Sequence, residues 1–323
     1  MMRNPITAGI LGVLLLASPF AASEEALAQP AAKKESADTL DLAHLLKVDV
    51  PGVVRDGLGR GKTDFQAVLQ EADERIAAIR KRNGYTELDL DMLARPWVRT
   101  KEFLHLLQQR QPLPDITLGF RGQRNGVFET GGTEIFKGDV KRGVAILREI
   151  GLKDTANGKS WSAMWGIMER TPTVLGKRAN GDIVLRVDVV LGVNQWLNIV
   201  YKMIYNVRDI ERYVEYDLGD GSYVVVQDMI RDDSAGAAPR RPTRGNWPAK
   251  PYCPVREQIS ITILRDNKDW TFTLGSFMST HGQELTAGVA DHVIDLLKIM
   301  EKDTIKNRRK WNELFQKEVL AGK

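Results

Sequence analysis

The residues with the most chemistry to offer in this chain are four histidines, one cysteine and a few acidic pairs. His44, His105, His281 and His292 each stand without a second His or Cys at the spacing a metal site needs. No metal and no cofactor is expected. His292 falls on the apolar side of a helical stretch, where a hydrogen-bonded core histidine is the usual occupant. His281, in Thr280-His281-Gly282 at a strand end, is better placed to act as an acid–base group. Cys253 is the single cysteine, so no intramolecular disulfide can form. No Gly-x-Ser-x-Gly elbow is present. Asp217, Asp220, Asp232 and Asp233 lie at turns or strand ends, where carboxylates serve turn geometry. Gly57-Leu58-Gly59-Arg60-Gly61-Lys62-Thr63 imitates a phosphate loop, but the position that should hold its first glycine is Asp56, which would repel phosphate.

The large, adaptable side chains say more. Trp161 and Trp165 lie four residues apart on a short segment expected to be helical. Tyr201, Met203, Tyr205, Tyr216, Tyr223 and Phe272 recur at strand spacing and are expected to point inward. Such side chains either fill a core or wall an apolar pocket, in which Gln227 and the tyrosines would offer a few polar atoms to orient a ligand.

The elements that must position them follow from periodicity. Phe65, Val68, Leu69, Ala72, Ile76 and Ile79 mark a helix over 64–82 that Asn83-Gly84 stops. A second helical stretch runs from Leu88 to Gln109, with an interruption expected at Arg95-Pro96. A strand is expected near 116–120 and another near 134–137, then a helix over 139–150. From there the period switches to two. Ile183 to Leu191, Ile199 to Tyr205, Val214 to Leu218, Tyr223 to Met229, Ile259 to Ile263 and Trp270 to Leu274 alternate apolar with polar, which predicts an antiparallel sheet with one wet face. Asn180-Gly181 and Asp220-Gly221 are strong hairpin signals. A turn at Asp220-Gly221 would set Leu218 opposite Tyr223 and Tyr216 opposite Val225. One at Asn267-Lys268 would set Ile263 opposite Phe272 and Ile261 opposite Leu274. A helix over about 285–317 closes the chain. His292 and Leu296 lie on its first apolar stripe, and Trp311, Leu314 and Phe315 on a later one.

The N-terminus predicts export. Arg3 precedes an apolar run, Ile6 to Phe20, too short for a bilayer span of about 20 residues. Small residues follow at Ala21-Ala22-Ser23 and Ala26-Leu27-Ala28. Cleavage is expected after Ser23, an uncleaved anchor being the alternative, and the location expected is periplasmic or secreted. The organisation is thus a signal peptide over 1–23, a flexible linker over 24–40, a mostly helical region over 41–130 and a sheet-and-helix domain over 131–323. The formal charge of +4 and pI near 9.0 are spread along the chain, so nucleic acid is not an expected partner. Between two strands, the Pro- and Arg-containing insert 234–254 is a solvated loop or, through Arg240, Arg241 and Trp247, a contact with an anionic membrane surface.

The order of these elements, a short strand and a helix followed by hairpin-linked strands to Thr280 and then a long helix, resembles the START-like or SRPBCC superfamily of lipid-transfer domains and polyketide cyclases over about residues 131–305. The resemblance implies an α+β, helix-grip fold in which a curved antiparallel sheet holds the C-terminal helix across a cavity. It brings no shared catalytic motif. The expected function is therefore a binding or carrier protein for a lipid or other apolar small molecule. The alternatives are a cyclase- or hydrolase-type enzyme using His281 or a tyrosine, and an envelope interaction module with a solid core.

Overall fold

A computed structural model describes residues 64–114, 119–122, 127–156, 159–161, 167–178, 181–193, 203–232, 238–240, 255–282 and 293–322. The expected signal peptide and linker, together with His44, Trp165, Tyr201, Arg241, Trp247, Cys253 and His292, lie outside these residues. So does most of the segment expected to be helical around Trp161. Of Met203, Tyr205, Arg240 and Leu296 only the backbone is described.

Two helices open the described chain. Helix α1, Phe65–Arg80, is capped by Asp64, whose carboxylate accepts from Gln66 N at 3.0 Å. Helix α2, Glu87–Gln108, begins with a reciprocal capping box between Thr86 and Asp89 that satisfies two otherwise orphaned backbone donors. Pro96 does not interrupt α2 as expected. A proline removes the bond its amide would make to the carbonyl four residues back. That carbonyl belongs to Met92, and it accepts from Ser279 Oγ at 2.5 Å. A serine from the sheet thus replaces the missing helical donor.

The sheet is antiparallel throughout and nine-stranded. Its strands are β1 (Gly119–Gly122), β2 (Val127–Lys137), β5 (Ile167–Lys177), β6 (Ile183–Val193), β7 (Met203–Asp217), β8 (Ser222–Arg231), β9 (Ala238–Arg240), β10 (Val255–Lys268) and β11 (Thr271–Gly282). They run β1-β2-β11-β10-β8-β7-β6-β5, with the short β9 on β7. A separate pair, β3 (Thr155–Ala156) and β4 (Lys159–Ser160), follows helix α3, Val140–Lys153. Helix α4, Val293–Ala321, ends the chain.

Helices lie on both faces of this sheet, where the periodicity argument expected one covered face and one wet one. Helices α1 and α2 cover one face, where Trp97, Phe103 and Leu104 pack on Val214, Tyr216, Val224, Val226, Ile259, Ile261, Ile263 and Phe277. Helices α3 and α4 cover part of the other, where Trp311, Phe315 and Val319 pack on Phe136, Tyr223, Leu264, Phe272 and Leu274. We call these the outer and inner faces. Close approach on the outer face depends on Gly275, where a Cβ would sit 3.0 Å from the Phe103 ring.

Both hairpin registers differ from expectation, and each difference exchanges faces. Tyr223 pairs with Asp217 and Val224 with Tyr216, one residue away from the expected pairing. The loop extends over Leu218 to Ser222, with Leu218 N donating to Ser222 O. Leu264, not Ile261, pairs with Leu274, because the tight turn is Asp269-Trp270, both at positive φ. A shift by an odd number of residues moves a strand's side chains to the opposite side. Tyr216 and the isoleucines of β10 consequently face α1 and α2.

Candidate functional site

The strand registers arrange the inner face as cross-sheet rows. Phe136 and Phe272 form the first, and Glu134, Leu274, Leu264 and Tyr223 the second. The second half of α4 covers both. Phe315 lies 5.0 Å from Phe136 and 4.8 Å from Trp311, and Trp311 lies 5.7 Å from Trp161. Helix α4 runs along β2. Val319 meets Gly138, Gln316 exchanges two 2.8 Å hydrogen bonds with the Lys137 backbone, and Asn312 donates to Glu134 at 3.1 Å.

Beyond these rows the surface changes character. The third row reads Gly132, Ser276, Thr262 and Val225. The fourth reads Thr130, Met278, Ser260 and Gln227, and the fifth Thr280, Gln258 and Met229. Thr130, Met278, Ser260, Gln227, Thr280, Gln258 and Met229 are all only half-buried, though they belong to strands inside the sheet. Their strand neighbours on the outer face are sealed, Ile261 and Val226 at 0% exposure and Phe277 at 4%. The middle of the inner face is therefore accessible, and it is lined by hydroxyls, amides and thioethers rather than by aliphatic side chains.

A charged cluster borders this surface at β7. Glu211 accepts from Arg170 at 2.6 Å and from Gln227 at 2.7 Å. Arg170 also donates to the carbonyls of Ile150 and Gly151 at the end of α3, at 3.1 Å each. Asp209 pairs with Arg231 at 2.6 Å. Burial raises the Asp209 carboxyl to about 7 despite Arg231, and nearby Glu211 adds to the rise. Helix α3 is held here by Arg148, which binds Glu215 through two donors, one at 2.9 Å.

The outer face carries a different polar system, closed on itself. Arg212, fully buried, donates to Glu71 of α1 at 2.8 Å, to Asp182 at 3.2 Å and to Asp228 at 2.6 Å. Tyr216 donates to the same Glu71. Burial works against charge on Arg212, but Asp228, Glu71 and Asp182 outweigh it and keep the guanidinium protonated. Arg82 pairs with the buried Glu257 at 2.5 Å. His281 lies beside them, its Nδ1 3.1 Å from the Tyr85 hydroxyl. Burial and the Arg82 charge push its imidazole down to about 4.

The sequence-derived site residues thus divide. Trp161, Tyr223, Gln227 and Phe272 are on the inner face. Trp161 and Phe272 are packed core, and Gln227 borders the accessible rows. Tyr216 and His281 are corrected: the register shift places Tyr216 against Glu71, and the alternation of β11 points His281 away from α4 and under Tyr85. An acid–base reaction in the inner space loses His281 as its agent. Ser260, Thr262, Ser276 and Met278 were missed because they occupy what a one-faced sheet would present as its polar, solvated side.

An antiparallel sheet that holds a C-terminal helix on one face makes this an α+β protein of helix-grip architecture. No family model matches the chain, and no curated protein does. Among solved structures it is similar to human StAR-related lipid transfer protein 5, at 11% identity over 78% of this chain and 98% of that one, with a TM-score of 0.35. It is similar to the di-domain ARO/CYC StfQ from the steffimycin biosynthetic pathway, at 11% identity over 71% of this chain and 60% of that one, TM-score 0.35. Human STARD10 matches at 13% identity over 62% and 76%, TM-score 0.33. Among the described residues no helix is long and apolar enough to cross a membrane.

Proposed function

We propose that this chain is an exported carrier that holds an amphiphilic small molecule, a lipid or a compound of similar polarity, on the inner face of its sheet beside α4. The observation that carries this reading is the accessibility of Ser260, Gln227, Met278 and Met229 within a sheet whose other face is sealed. Side chains left half-exposed between covering elements lose burial energy unless something else occupies the space. A ligand's apolar chain leaving water supplies about 25 cal/mol per Å², and thioethers adapt to chains of varied shape. The hydroxyls and Gln227 favour a molecule with a polar portion over a pure hydrocarbon, which sharpens the sequence-based expectation of an apolar ligand.

Export rests on the first 23 residues alone, and contact of the 234–254 insert with an anionic membrane belongs to the same proposal. N-terminal sequencing of the mature protein from a periplasmic extract checks the first, with Glu24 as the expected first residue. Native mass spectrometry of the purified protein and thermal melts with added amphiphiles check the carrier reading. Ligand at a hundredfold its Kd stabilises by about 2.7 kcal/mol, an easily seen rise in Tm. A protein that emerges without bound small molecule and whose Tm moves with no amphiphile contradicts it.

A further inference from the structure

Arg308 is a half-buried cation that pairs with no carboxylate among the described residues. It lies on α4 one turn before Asn312, on the same side of the helix. Since Asn312 sits at Glu134, the course of α4 along β2 sets Arg308 near the level of Gly132 and Ser276. This is the border between the packed aromatic rows and the accessible polar ones. Its guanidinium stands 5.1 Å from the centre of the Trp311 ring. Its Nε is buried with no hydrogen-bond partner, and no carboxylate of the described residues pairs with it. Burial lowers it to about 10, and the more distant Glu134 opposes that only in part. It therefore remains charged at neutral pH. Trp161, 1% exposed and with its ring 5.7 Å from that of the same Trp311, carries an indole N–H that is likewise buried and unpartnered. The buried arginines described above are each matched by a carboxylate: Arg212 by Asp228, Arg170 by Glu211, Arg231 by Asp209 and Arg82 by Glu257. Buried charges and donors call for partners.

We propose that Arg308, with Trp161 as a second donor, receives the anionic head of the bound amphiphile, so that the ligand class is an amphiphile with a carboxylate or phosphate head. A guanidinium fork matches either group with two parallel hydrogen bonds. The head sits at α4 while the chain extends over Met278, Ser260 and Met229. This inference rests on the carrier reading and adds the charge of the ligand to it.

Calorimetric titration of the full chain with dodecanoate, dodecyl phosphate and dodecanol tests it, since the three share one alkyl chain. The expected result is that at least one anion binds tenfold or more tightly than dodecanol, and whichever binds more tightly names the head. Arg308→Gln should bring that anion down to the affinity of dodecanol and leave dodecanol unchanged, while Arg308→Lys retains part of the preference. Trp161→Phe, which keeps the packing and removes the N–H, should cost the anion several-fold. If the three ligands bind alike, or if folded Arg308→Gln keeps the preference, the assignment of the head group is wrong and the carrier reading survives. If none of the three binds, both fail. The wild-type comparison decides the question even if Arg308→Gln does not fold.

Discussion

Ser260 and Ile261 are neighbours on β10 and point to opposite sides of the sheet. Ile261 is wholly buried beneath α2, while Ser260 is half-exposed on the side of α4. The same contrast holds across the middle of the molecule. The outer face is closed with aliphatic side chains, aromatic pairs such as Phe103 with Phe277 at 5.0 Å, and a neutralised network around Arg212. The inner face is closed where α3 and the second half of α4 reach it, and its middle is left accessible. On the proposed function, stability and binding belong to different sides of one sheet. The N-terminal helices supply the burial that an open binding face forgoes.

This division predicts unequal responses to substitution. The largest should come from Arg212→Met. Removing the cation strips the buried Asp228 of its partner and leaves Asp182 with Arg178 at 3.5 Å and Glu71 with Arg75 at 3.9 Å, a loss of about 3–5 kcal/mol measurable by urea denaturation. A loss below about 1 kcal/mol would mean the outer network does not hold α1 to the sheet.

Acid should loosen the same face next. A base with a folded pKa below its unfolded one stabilises the protein above the unfolded value and loses that contribution as the pH drops. For His281 the window runs from 6.5 down to about 4. The loss approaches about 3 kcal/mol at 1.36 kcal/mol per unit, because burial disfavours the protonated ring, which would also face Arg82 and Arg256. Equilibrium unfolding of wild type and His281→Gln across this range should give curves that diverge, the variant being the flatter. Parallel curves would remove His281 from the account.

Two serines give a smaller and cleaner contrast. Ser279→Ala strands the Met92 carbonyl that Pro96 already leaves without a helical donor and should cost about 1–3 kcal/mol. Ser260→Ala, on the next strand and the opposite face, should change stability by less than about 0.5 kcal/mol. Smallest of all should be Thr262→Val with Ser276→Ala, near neutral for folding but altering ligand preference toward uncharged, more apolar molecules. Equal costs for the two serines would erase the distinction between the faces.

The elements themselves were legible in the sequence. The helical spacing of Val68 to Ile79, the alternation from Ile183 onward and the late stripe of Trp311 and Phe315 each appear where periodicity put them. What could not be read was which way the strands face. Alternation locates an apolar side without saying which layer covers it. Ile261 and Ile263 were expected opposite Leu274 and Phe272, but with Ile259 they share a cluster with Leu93, Trp97 and Phe103 of α2. Turn chemistry misled in the same direction. Asp220-Gly221 lies inside a longer loop, and a tryptophan at positive φ, Trp270, is no turn signal. The candidate site was least legible, because its serines and threonines look like solvent-facing positions until α4 is placed over that side.

The division between the faces can be tested at adjacent positions. In a Cys253→Ser background, Ser260→Cys and Ile261→Cys place one thiol on each side of β10, and a small neutral alkylating reagent reports access under native conditions. The account predicts that Ser260→Cys reacts without unfolding and is shielded by added dodecanoate, while Ile261→Cys reacts only at the rate of global unfolding. If both thiols are equally protected, the inner face holds no accessible surface and the chain is not a carrier.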